Sequence, residues 1–82
     1  MTPELEAYFD KYNELFNKDG YAQLQEEIEG IIENLSELST IKDSDELFFR
    51  KGQIDAFRRI LNFQDTVAIA REQAEETDVQ DI

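Results

Sequence analysis

Half of the eight basic residues stand in one short stretch, as Arg50-Lys51 and Arg58-Arg59, in a chain with 20 acidic residues and a net charge of -12. A cation cluster of this kind can hold a small anion, or it can meet the acidic face of a second protein copy. At helical spacing Arg50 and Arg58 flank Ile54, while Lys51, Asp55 and Arg59 follow at steps of four, so pairing within the chain is the plain alternative. The patch is too small, and the whole chain too acidic, to grip a phosphate backbone, and no direct nucleic-acid binding is expected. The opposite charge gathers upstream, where Glu26, Glu33 and Glu37 fall on the far side of a helical stretch. These carboxylates read either as a solvated face or as an acidic ladder for a basic partner.

Other chemistry lacks its residues. The chain has no cysteine and no histidine. That removes the commonest zinc ligands, the usual general base at neutral pH, and every Ser-His or Cys-His nucleophile pair. Carboxylates such as Glu26 and Glu33 invite a metal, but the Glu-x-x-His motifs of carboxylate-bridged di-iron bundles are missing. No EF-hand loop, phosphate-binding loop, dinucleotide fingerprint or nucleophile elbow occurs. We therefore assign no catalytic, cofactor-binding or metal-ligating residue and expect no enzyme activity and no cofactor.

The basic cluster must be positioned by the stretch Leu47 to Ala70, LFFRKGQIDAFRRILNFQDTVAIA. Wound as a helix, it carries apolar residues on two faces instead of one. Leu47, Ile54, Phe57, Leu61 and Ala68 lie along the first; Phe49, Gly52, Ala56, Ile60, Phe63, Val67 and Ala70 recur along the other. A helix apolar on two sides needs two partners. We take Phe49, Gly52, Ala56, Ile60, Phe63 and Val67 as the candidate partner-binding stripe, with Gly52 and Ala56 allowing close approach of another helix.

Upstream, Tyr21, Leu24, Ile28, Ile31, Leu35 and Leu38 form a heptad-like seam. Asp43 with Glu46 reads as a capping box that starts the next helix. With so short a loop between them, the two helices should lie antiparallel, and a fold about residue 41 pairs Leu35 with Leu47, Ile28 with Ile54 and Tyr21 with Leu61. At the N-terminus Thr2 and Pro3 cap a first helix whose apolar face is Leu5, Tyr8, Phe9, Tyr12, Leu15 and Phe16. Asn17-Lys18-Asp19-Gly20 interrupts it.

The expected architecture is a single all-α domain over 1–76, with helices over about 3–17, 20–39 and 44–76 and an acidic, frayed tail over 77–82. It is an antiparallel helical hairpin with a long C-terminal helix and a short N-terminal helix. The first helix has two routes, running on to cover the far end of the long helix or folding back on its second stripe. At 82 residues a lone core is marginal, so oligomerisation is expected to complete it. No signal peptide or membrane span is read, and the protein is expected in the cytoplasm of the cell that expresses it.

The run Leu47 to Phe63, LFFRKGQIDAFRRILNF, resembles short helical proteins encoded by tailed bacteriophages, in which an aromatic-Arg-Lys-Gly-Gln-hydrophobic-Asp run precedes an Ile-Leu-Asn stretch. Arg50, Lys51, Gly52, Gln53 and Asp55 match the run; Thr40-Ile41-Lys42-Asp43 and the acidic helix before it are similar too. The likeness spans Leu24 to Ala70 and contains no catalytic signature. It implies a phage product from the virion-structure or packaging genes, in a bacterial host cell or the virion, without giving any residue a role. The expected function is therefore a non-enzymatic structural or assembly protein that contacts itself or phage structural proteins. The alternative is an acidic nucleic-acid mimic that inhibits a host DNA- or RNA-binding protein.

Overall fold

The computed structural model describes residues 1–80, with side chains described through Thr77. Among these residues all regular structure is helical: α1 (Pro3–Phe16), α2 (Asp19–Leu35), a 3-10 turn (Leu38–Thr40), α3 (Ser44–Leu61) and α4 (Phe63–Gln80). Two compact units result, one of Met1–Ala22 with the chain from Phe63 onward, the other of Gln23–Asn62.

In the first unit, α1 starts where Thr2 Oγ1 accepts the Leu5 N–H at 3.2 Å with Pro3 in the first turn. It ends at Asn17, whose side-chain amide donates to the Asn13 carbonyl at 2.9 Å. The interruption expected over four residues shrinks to Asn17 and Lys18, since Gly20 already lies in α2 and has no positive φ. Helix α1 packs on α4. The Phe63 ring meets Tyr12 edge-on at 5.2 Å and Phe16 at 6.4 Å, and Phe16 in turn meets Tyr21 at 5.0 Å. Farther along α4, the Arg71 guanidinium lies 5.8 Å from the Phe9 ring centroid and donates to Asp10 Oδ1 at 3.3 Å. With Phe16 opposite Phe63 and Phe9 opposite Arg71, the two helices run antiparallel. Each aromatic pair adds about 0.5–1.5 kcal/mol beyond the area it buries. The first helix thus covers α4, and with it Phe63 and Val67 of the second stripe.

In the second unit, Ile28 is buried and Leu35, Ile54, Phe57 and Leu61 are half-buried, while Leu47 stays exposed. Helix α2 stops at Leu35, short of the expected end, and Ser36 just beyond it turns its hydroxyl back to the Ile32 carbonyl at 2.8 Å. Asp43 caps α3, accepting the Glu46 N–H at 2.8 Å. The Glu46 carboxylate reaches back to the Lys42 N–H at 3.1 Å, one residue beyond the usual capping-box partner.

The helix expected over 44–76 is two helices of 18 residues each, meeting at Asn62. Asn62 sits at φ -86° and ψ 1° and closes α3 by donating its N–H to Arg58. Asn is a weak helix former that tolerates this bridge region. Arg58 and Arg59 fill the last turn of α3, where cations oppose the negative end of the helix dipole. Phe63 then gains the aromatic partners of α1. The frayed tail also needs correction: α4 runs on through Thr77 to Gln80, helped by the Arg71–Glu75 ion pair at 3.6 Å and by helix-favouring Ala, Glu and Gln. Asp81 and Ile82, the rest of that tail, lie outside the described residues.

Phe9 and Ile28, at 4% and 6% exposure, are the buried hydrophobics among the described residues. Phe9→Ala should cost about 3 kcal/mol or more in urea unfolding followed by circular dichroism, enough to melt so small a core. Leu15→Ala, on an exposed position of the same helix, should change stability by under about 0.5 kcal/mol.

Candidate interaction surface

At about 100° per residue, the half-buried positions of α3 occupy a single side: Glu46, Arg50, Gln53, Ile54, Phe57 and Leu61. The remaining circumference is open. It carries Phe48 and Phe49, at 67% and 68% exposure, and Ile60 at 50%, with Gly52 and Ala56 between them. A Cβ built on Gly52 would meet nothing within 4 Å, so no part of the chain makes use of the missing side chain.

Four residues of the expected partner-binding stripe, Phe49, Gly52, Ala56 and Ile60, are therefore brought together on one exposed face. Phe63 and Val67 are not. They lie on α4 in the first unit, Phe63 against Tyr12 and Phe16, and Val67 lining a cleft with Phe9 and Phe16. Asn62 divides the expected stripe between two helices. Phe48 takes their place; it was missed because its angle falls between the two apolar stripes, and the Phe48-Phe49 doublet was the available signal.

The basic cluster divides as well. Arg50 folds against its own helix start, pairing with Glu46 at 2.9 Å and donating to the Thr40 hydroxyl and, at 3.2 Å, to the Thr40 carbonyl. It ties α3 to the preceding turn. Lys51, Arg58 and Arg59 are exposed and make no ion pair among the described residues. The Lys51 ammonium lies 6.0 Å from the Phe48 ring centroid, so cation and apolar surface are contiguous.

On α2 the acidic face is shorter than expected. Glu26 and Glu33 are exposed, with Glu27 and Glu29 beside them. Glu37 is not on the helix: it precedes the 3-10 turn in extended conformation, and its carbonyl accepts the Thr40 hydroxyl at 2.8 Å. Its line with Glu26 and Glu33 is broken by the early end of α2. Glu26, Glu27, Gly30, Ile31 and Asn34 line a shallow groove, and a Cβ on Gly30 would again meet nothing within 4 Å. The heptad seam splits too: Ile28 and Leu35 are covered, whereas Leu24 and Ile31 remain exposed.

Among the described residues no three acidic side chains are grouped to hold a metal ion, and no helix is long and apolar enough to cross a membrane. Arg71, which orders α1 against α4, had no counterpart in the sequence reading; its pairing with Asp10 joins residues far apart in the chain.

Glu46 has the best-defined electrostatic environment of this surface. The Lys42 N–H, then the Arg50 guanidinium, hold its carboxyl below the ordinary value. A lowered folded-state pKa means that the stabilisation is complete above the ordinary carboxylate range and is lost as pH falls through the lowered value. Glu46→Gln should therefore melt at a lower temperature than the wild type at neutral pH, and the gap should narrow as the pH falls below the ordinary carboxylate range. Thermal melts across that range check this. No family model, no curated protein and no solved structure matches the chain, so its function is argued from its own surface.

Proposed function

We propose that the protein is a non-enzymatic structural or assembly component acting through helix–helix contacts with other protein, either copies of itself or structural proteins of a tailed bacteriophage. One observation carries the reading: the exposed apolar face of α3, Phe48, Phe49, Gly52, Ala56 and Ile60, in a chain with so small a buried core. Exposed large apolar residues are ordinary when scattered, but a contiguous set along one helix marks an interaction surface. In this reading the helical hairpin of α2 and α3 completes its core by oligomerisation. The phage setting, in the virion or the packaging apparatus, rests on the resemblance carried by Leu47 to Phe63. Its place would be the host cytoplasm or the particle.

A second reading is favoured by the exposed carboxylates Glu26, Glu27, Glu29 and Glu33 of α2 and by the net charge of -12. On it, the protein inhibits a nucleic-acid-binding host protein by presenting carboxylates where phosphates would lie, and its binding would weaken steeply with salt.

Light scattering over a concentration and salt series, on the wild type and on the Phe48→Ser/Phe49→Ser variant, decides between them. The assembly reading expects a salt-tolerant complex, with itself or with capsid, portal or tail proteins, that the variant loses while keeping its helical content. A wild type that stays a single chain and binds none of those proteins overturns it. The mimic reading would then be tested by Glu26→Lys/Glu33→Lys, which should abolish inhibition.

A further inference from the structure

Resting on the assembly reading, we infer that the partner of the exposed α3 face is α2 of a second copy of this chain, seated on the shallow groove at Gly30. Charge selects the occupant. Two copies of a chain with net charge -12 repel one another, so association needs a local reversal of sign at the contact. Lys51 beside Phe48, with Arg58 and Arg59 in the last turn of the same helix, provides that reversal; all three are exposed and free of ion pairs among the described residues. The groove on α2 is rimmed by Glu26 and Glu27, with the exposed Ile31 at its side. A cationic, apolar ridge and an acidic, apolar groove are thus carried by the same chain.

Space points the same way. Gly30 and Gly52 each lie inside a helix, where glycine costs roughly 0.5–1 kcal/mol against alanine, and neither is needed for packing within the chain. Gly52 is exposed and Gly30 half-buried, and each leaves its helix flat beside exposed side chains. Helices approach closely where a small residue sits at the crossing, so the two glycines suit a contact between copies with α3 laid into the α2 groove. Exposed Leu24 and Ile31 on α2 then cover Phe48 and Ile60 on α3, and Lys51 and Arg59 reach Glu26 and Glu27.

The test is a charge exchange read by sedimentation and light scattering. Wild type should associate. Lys51→Glu/Arg59→Glu alone and Glu26→Lys/Glu27→Lys alone should each weaken association by roughly tenfold or more. An equimolar mixture of the two variants should regain it, because acid again faces base in every contact. A mixture that stays as single chains, or variants that associate like the wild type, overturns the inference. If the charge variants do nothing while Phe48→Ser/Phe49→Ser still dissolves the complex, assembly stands and this partner face falls. Gly52→Ala gives a readout independent of charge. It should raise the melting temperature of the dilute single chain yet weaken association several-fold; unchanged association overturns a close crossing at Gly52.

Discussion

A helix with large apolar groups around most of its circumference cannot be covered by one neighbour, and α3 is such a helix. Its half-buried side holds Ile54, Phe57 and Leu61, and its open side holds Phe48, Phe49 and Ile60. A neighbouring helix shields only the stripe that faces it, because helix axes stay about 8–10 Å apart. The rest of the chain has little cover to spare. Aromatic residues of α1 are engaged with Phe63 and with one another, and among the α2 side chains Ile28 alone is buried. The surface left over is the physical origin of the proposed assembly role.

Small polar devices, more than core volume, define where the helices begin and end. Thr2 and Asp43 cap α1 and α3, the Ser36 hydroxyl accompanies the end of α2, and Asn62 closes α3. Between α2 and α3, Arg50 reaches back to Thr40 and Glu46, and Glu46 to Lys42. These hydrogen bonds are local, so they hold the connection without drawing on a core that has little burial to offer. In the first unit Arg71 plays a comparable part over a long sequence distance, packing its charge over Phe9 while pairing with Asp10 and Glu75.

The distribution of charge follows from the same economy. With the ends of the helices capped locally and Arg50 turned into the connection, the other cations of α3 remain at the surface beside its apolar face. Carboxylates remain on α2. A strongly acidic chain keeps copies apart in general, and a single patch of opposite sign sets where and in what orientation they can meet. Specificity here would come from charge placement, and adhesion from Phe48, Phe49 and Ile60.

The amino-acid sequence by itself determined that the described chain is helical. Apolar residues at steps of three and four, Thr2-Pro3 and Asp43 to Glu46 place helix starts through local geometry, which a linear pattern records faithfully. It also marked Phe49, Gly52, Ala56 and Ile60 as one face, because within one helix spacing and angle are the same information. What it did not determine was continuity through Asn62. The apolar pattern carries on across that residue, and periodicity alone cannot distinguish one long helix from two in succession; Arg58-Arg59 ahead of Asn62 were the available sign of a helix end. Tertiary structure decided that Phe63 and Val67 belong with α1, that Arg50 belongs to a turn and not to a patch, and that Arg71 orders α1 against α4. Each of these depends on which distant residues arrive at a given face, and that is settled by competition for burial among all helices at once.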